Sequence, residues 1–161
     1  MRNKLIATML LASASLLPTF ANAQEKSAIE IKNEAFKEVS VPNSTTKKLV
    51  PASSAAPGEP LLYVLTVRNI SDKPVSNVVV GNPVPQYTEY KLDSQTSSNA
   101  KFEVSVDQGK TFGSLGTLQK TAVNGSKSIA QAKDVTNLRW TLSTALKPKE
   151  ETKITYRLQL N

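Results

Sequence analysis

The chain has 161 residues and contains neither cysteine nor histidine. The first absence removes disulfides, thiol nucleophiles and thiolate zinc sites. The second removes the Ser-His-Asp triad, histidine metal sites and the one unperturbed side chain that titrates near neutrality. Gly113-Ser114-Leu115-Gly116 lacks the lysine and the following helix that a phosphate-cradling loop needs. Paired carboxylates remain as a route to acid–base chemistry. The acids here, however, stand singly at turns and outward positions, at Asp72, Asp93, Asp107 and Asp134, and Glu150-Glu151 opens the last strand as solvated charge. No catalytic residue, metal ligand or cofactor is expected, and the chain is not expected to be an enzyme.

Concentrated charge is missing too. There are 20 basic and 13 acidic residues, a net charge of +7, and no basic run exceeds Lys47-Lys48. Nucleic-acid binders gather charge on one face or helix. Singly placed residues such as Lys91, Lys101, Lys110, Lys120 and Arg139 read instead as a solvated, mildly basic surface. Weak attraction to an anionic envelope is the sharper alternative; nucleic acid is not an expected partner.

One apolar run stands out, Leu5 to Leu17. Arg2 and Lys4 precede it, Pro18 breaks it, and Ala21-Asn22-Ala23 follows, the small-x-small pattern of a signal-peptidase site. The run is shorter than the roughly 20 residues that span a bilayer. Residues 1–23 therefore read as a signal peptide cleaved after Ala23, and without cysteine there is no lipobox. Losing Arg2 and Lys4 leaves 18 basic and 13 acidic residues, a net charge of +5. The product is expected to be periplasmic or secreted, with no membrane span. One C-terminal strand pattern, Arg157 to Asn161, does not make an outer-membrane barrel.

Period-two alternation, the pattern of half-buried strands, dominates the rest. Ile29, Ile31, Ala35, Val39 and Val41 mark a broken first strand region. A Pro-, Ser- and Thr-rich stretch from Pro42 to Pro60 follows, with a short edge strand at Lys48 to Pro51. Further strands are expected at Leu61–Asn69, Val75–Val80, Thr88–Leu92, Phe102–Val106, Val135–Leu142 and Thr152–Leu160. Ser126 to Lys133 allows one turn of helix. The expected fold is all-β, an immunoglobulin-like antiparallel β-sandwich of about seven to eight strands. It is assigned to residues 57–161, with 24–56 as an N-terminal strand region and flexible lead-in. Trp140, flanked by Leu138 and Leu142 in the alternation, is expected to plug the core.

Ser105-Val106-Asp107-Gln108-Gly109-Lys110-Thr111-Phe112 matches S-x-D-x-G-x-T-[WF], which resembles the Asp-box of sialidases and other β-propellers. Its logic is local: Asp107 accepts backbone N–H bonds in a tight turn, Gly109 supplies positive φ, and Phe112 packs beside the hairpin. A propeller needs several blades, and the motif occurs once. A structural hairpin is the favoured reading, with a glycan or cation role for Asp107 as the alternative. Asn43-Ser44-Thr45, Asn69-Ile70-Ser71 and Asn124-Gly125-Ser126 match glycosylation acceptors by chance, since the signal is of bacterial type.

From Pro57 on, the blocks fall in a specific order. They are Pro57-Gly58-Glu59, Tyr63-Val64-Leu65-Thr66-Val67-Arg68-Asn69, Asn82-Pro83-Val84-Pro85, Ser105 to Phe112, and Asp134 to Leu142 with its Leu138-Arg139-Trp140-Thr141-Leu142 core. Leu146-Lys147-Pro148 then leads into the closing strand. This order resembles the bacterial conserved-repeat domain of unknown function number eleven, in its short single-copy Gram-negative type. One departure is Pro148-Lys149, where the family often carries Pro-Gly. The resemblance implies an exported Ig-like domain of no known activity, and it brings no catalytic residues. Asn69 is read as a hydrogen-bonding strand terminator.

Loops carry function on such scaffolds. The candidate binding residues are Asn82, Gln86 and Tyr87 around the Asn82–Gln86 turn, and Ser97 and Asn99 in the Ser94–Ala100 loop. The expected role is a non-enzymatic cell-envelope or secreted structural or interaction module. Its partner would be another envelope protein or a surface polymer. The alternative is a carbohydrate- or polymer-binding module resting on the Asp-box, Tyr87 and Tyr90. A strand-exchanging periplasmic assembly factor ranks below both, because pilus chaperones have two Ig-like domains.

Overall fold

The computed structural model describes residues 27–97 and 99–161, so the signal-peptide reading lies outside the described residues. Ten strands make up nearly all of the regular structure. They are β1 (Ile29–Ser40), β2 (Lys47–Pro51), β3 (Pro60–Asn69), β4 (Val79–Pro83), β5 (Thr88–Tyr90), β6 (Ala100–Ser105), β7 (Gln119–Thr121), β8 (Lys127–Ile129), β9 (Asn137–Leu142) and β10 (Glu151–Leu160). Two single 3-10 turns, Leu115–Thr117 and Ala132–Asp134, are the helical elements among the described residues.

The strands form a five-stranded sheet in the order β2-β1-β3-β10-β5, a three-stranded sheet in the order β4-β9-β6, and the β7–β8 hairpin. Every pairing is antiparallel. Because side chains alternate across a strand, register decides which face each residue takes. Leu65 and Val67 on β3 align with Ile154 and Thr152 on β10, which puts one apolar set on one face. Val80, Leu138, Trp140 and Val104 do the same on the smaller sheet. The two apolar faces meet in one buried cluster.

Aromatic rings join the layers. Trp140 of β9 and Tyr156 of β10 are both fully buried, with ring centroids 5.3 Å apart. Tyr156 also stacks on Tyr63 at 5.3 Å, Trp140 meets Phe102 at 5.2 Å, and Phe102 meets Tyr90 at 5.8 Å. Tilted and offset contacts at this range are the favoured arrangements of ring quadrupoles. Leu138, Trp140 and Leu142 all face inward, as the alternation requires.

Several elements differ from their sequence expectations. The strand expected from Val75 starts only at Val79. Asn77 takes a left-handed φ of 55° and interrupts the extended chain, leaving Val75 in one isolated bridge to Leu146. The strand from Thr88 stops at Tyr90, just before the turn at Asp93 with its φ of 53°. Within Ser126–Lys133 the one helical turn is confined to the end, where the 3-10 turn Ala132–Asp134 begins, and the stretch before it holds β8. Asn124-Gly125, with Gly125 at φ 82°, makes the reversal between β7 and β8. Residues before 57 supply β1 and β2, and β1 pairs with β3 without a break from Ile29 to Lys37. The larger sheet thus runs across position 57.

Truncating the central ring tests this packing. Trp140→Ala is expected to lower unfolding stability by about 3–5 kcal/mol, read from urea denaturation.

Candidate functional site

Two of the sequence motifs are fixed structural devices. Asn69 is fully buried at the end of β3. Its amide nitrogen donates to the carbonyl oxygens of Lys73, Leu146 and Lys147 at 2.8, 3.0 and 3.0 Å. Its oxygen accepts from the Ser71 amide and hydroxyl. One side chain therefore ties the β3 exit to the turn before β10.

Asp107 closes the turn after β6. Its Oδ1 accepts from the Ser105 hydroxyl at 2.7 Å and from the amides of Lys110 and Thr111 at 3.1 and 2.9 Å. Its Oδ2 accepts from the Thr111 hydroxyl at 2.6 Å. Bonds from Thr111, then Ser105 and Lys110, hold the carboxyl well below the usual carboxylate range. Gly109 sits at φ 84°, and its amide donates to Ser105 Oγ at 2.9 Å. Phe112 lies under the Arg139 guanidinium, 3.9 Å from its ring centroid. Both oxygens of Asp107 are thus occupied inside the turn.

The candidate binding residues separate. Asn82 is the fourth residue of β4 rather than part of a free turn. Its amide donates to the Tyr156 hydroxyl at 2.5 Å, which ties the smaller sheet to the larger. Gln86 and Tyr87 follow at the same end of the molecule, and Tyr87 is 77% exposed at φ 63°. Ser97 and Asn99 lie towards the other end of β9. There the Asn99 carbonyl accepts from Ser143, whereas Pro83 aligns with Asn137 at the start of that strand. The two loops therefore do not form one surface. Tyr90, on which the carbohydrate- or polymer-binding alternative also rests, is buried. It aligns with Leu158 on the inner face and contacts Phe102.

Sequence reasoning missed one hollow among the described residues. A trough of about 600 Å³ lies between the β5 exit and the segment that carries the two 3-10 turns. Leu92, Leu115, Ala130 and Ala132 give it an apolar lining, and Glu89, Asp93 and Lys133 add charge. A second hollow of about 200 Å³ shares Leu92, Asp93 and Leu115. The available signal was the Asn124-Gly125 hairpin, which brings Ala130 back to Leu118 through a 2.9 Å backbone bond. The larger trough has no aromatic platform of the kind sugars stack on.

Comparison of the chain with protein-family models, with curated proteins and with solved structures finds no match. No helix among the described residues is long and apolar enough to cross a membrane. Among the same residues, no three acidic side chains converge in a way that would hold a metal ion.

The Asp107 turn gives a pH-dependent expectation. Its folded carboxyl titrates lower than an unfolded aspartate, whose value is about 3.9. Its contribution is therefore complete above that value and is lost as pH falls through the folded one. Asp107→Asn is expected to reduce the urea midpoint at neutral pH, with the gap from the parent narrowing on acidification below about pH 4. A gap independent of pH would assign the loss to shape alone.

Proposed function

We propose that this chain is an exported, non-enzymatic interaction module of the cell envelope or secreted fraction, released from its signal peptide after Ala23. Its partner is another envelope protein. The observation that carries the reading is how the fold uses its best-anchored carboxylates. Asp107 closes its own turn. Asp134 pairs with Lys120 and accepts from the Gln131 amide. Glu103 lies between Lys101 and Arg139, and Glu38 between Arg157 and Lys47. These partners hold all four carboxyls below their ordinary range. A chain without histidine or cysteine thus uses its most constrained acids as struts.

We read the two packed sheets as an immunoglobulin-like sandwich in the broad sense. The strand order supports a variant arrangement: the last strand, β10, lies between β3 and β5 rather than in the sheet of its predecessor β9. The resemblance to the conserved-repeat family gains support from where the blocks fall. Pro57-Gly58-Glu59 leads into β3, with Gly58 at φ 82°, and Asn69 ends that strand. Lys149 stands where the family often has glycine, and it adopts a glycine-like φ of 62°. Its ammonium donates to the Ile70 carbonyl at 2.9 Å and pairs with Asp72, contacts that offset the backbone strain.

A second reading, polymer binding, is favoured by Tyr87, a well-exposed aromatic in a backbone conformation that bulky residues rarely adopt.

The test is to express a C-terminally tagged chain in its host, cross-link it in the envelope and identify partners by mass spectrometry. One reproducible protein partner on a chain starting at Gln24 is the expected result. Recovery of polysaccharide instead, lost on Tyr87→Ala, would replace this reading with polymer binding. Robust hydrolase turnover by the purified chain would overturn it.

A further inference from the structure

We infer that the free edge of β4 is a docking site for an extended segment of another polypeptide, which adds a fourth strand to the smaller sheet. The inference rests on the interaction-module reading and names the surface that such a module would use.

The hydrogen-bond pattern shows what the edge offers. Val78 accepts from the Leu142 amide, and the Val84 amide donates to Thr136. Pairing alternates along an antiparallel strand, so Val78, Val80, Asn82 and Val84 turn their backbone groups towards β9. Val79 and Gly81 turn theirs away. No strand pairs on that side of β4 among the described residues.

The other edges of the two packed sheets are short, charged or covered. β2 is short and carries Lys47, Lys48 and Pro51. β5 has three residues, and the chain after it continues along β10 through Lys91 and Thr96. β6 is covered where Val104 and Gly113 exchange both backbone bonds. Along β4, only Pro83 interrupts the row of outward donors. Val79 is 55% exposed, and a side chain added at Gly81 would meet nothing within 4 Å.

The larger sheet extends beyond this edge. Phe102 of β6 meets Tyr90 of β5, and Trp140 of β9 meets Tyr156 of β10. Asn82 of β4 bonds Tyr156 on one side and Asn33 of β1 on the other. That sets β4 above β3 and leaves β1 and β2 as an overhang. At about 4.8 Å per strand, the overhang is about 10 Å wide. Ile31 aligns with fully buried Val67 and shares its inner face, yet it is 47% exposed. Asn33 and Ala35 continue the same face, and Lys48 lies on it through its register with Val39.

This shape selects the occupant. A second copy joined edge to edge through β4 would bring its own overhang into the space under this one, and the two would collide. A single extended segment fits. Its backbone bonds Val79 and Gly81, alternate apolar side chains cover Ile31 and Ala35, and an acidic residue meets Lys48. Backbone bonds supply affinity, and the side-chain alternation supplies specificity.

The probe is a phage library of short random peptides, selected on the intact exported chain. Enriched peptides are expected to alternate apolar and polar residues and to slow amide hydrogen exchange at Val79 and Gly81. Gly81→Pro removes only an outward donor, a change that edge strands tolerate. It should weaken binding by about tenfold or more. Ile31→Lys alters an exposed residue and should weaken it similarly, which keeps the test valid if the proline variant unfolds. Leu92→Lys, in the trough, should leave binding unchanged. No enrichment, protection confined to the trough, or unchanged affinity in the two edge variants would overturn the inference. An envelope partner that still cross-links to Gly81→Pro and Ile31→Lys would overturn the edge while leaving the interaction reading standing.

Discussion

The contact between Trp140 and Tyr156 is what the rest of the structure depends on. Trp140 comes from the central strand of the smaller sheet and Tyr156 from an interior strand of the larger one, between β3 and β5, and both are fully buried. Tyr156 further stacks on Tyr63 and accepts the Asn82 amide, so one side chain gathers β3, β4, β9 and β10. Burial pushes its hydroxyl well above the ordinary tyrosine range, and Tyr63 adds to the effect. A fold without disulfides must draw its cohesion from such packing and from the strand ladders.

Polar side chains then fix the connections that packing leaves undecided. Asn69 holds the β3 exit against the turn before β10. Asp107 organises the turn after β6, and the Thr136 hydroxyl, donating to the Ser105 carbonyl, ties that turn to the chain entering β9. Non-glycine residues with positive φ, among them Asn77, Asp93 and Lys149, lie beside strand ends. They set where strands stop more sharply than hydrophobicity does.

The alternation along the chain revealed the inward set of β3, β9 and β10 because those strands are covered on one face for their whole length. Asn69 and the Asp107 turn were legible for a different reason: their partners lie largely within a few residues. Other features were hidden. Period two assigns side chains to faces but does not say what covers a face. Ile31 therefore looks like Val67 in sequence, although only Val67 is enclosed. β5 is too short to show a pattern, so the alternation does not assign Tyr90 a face; its register with Leu158 sends it inward. The β7–β8 hairpin escaped because all six of its residues are exposed, which leaves only Asn124-Gly125 as a sign. The mismatch between five strands and three is a property of pairing, and no single segment encodes it.

Residue-resolved native-state hydrogen exchange tests the central claim most directly. If Trp140 and Tyr156 anchor two sheets of unequal width, amides at the centres of β9 and β10 should exchange only through global unfolding. The outward amides of Val79 and Gly81 should exchange close to the rate of open chain. Early exchange at Trp140 and Tyr156, or full protection at Val79 and Gly81, would contradict the account.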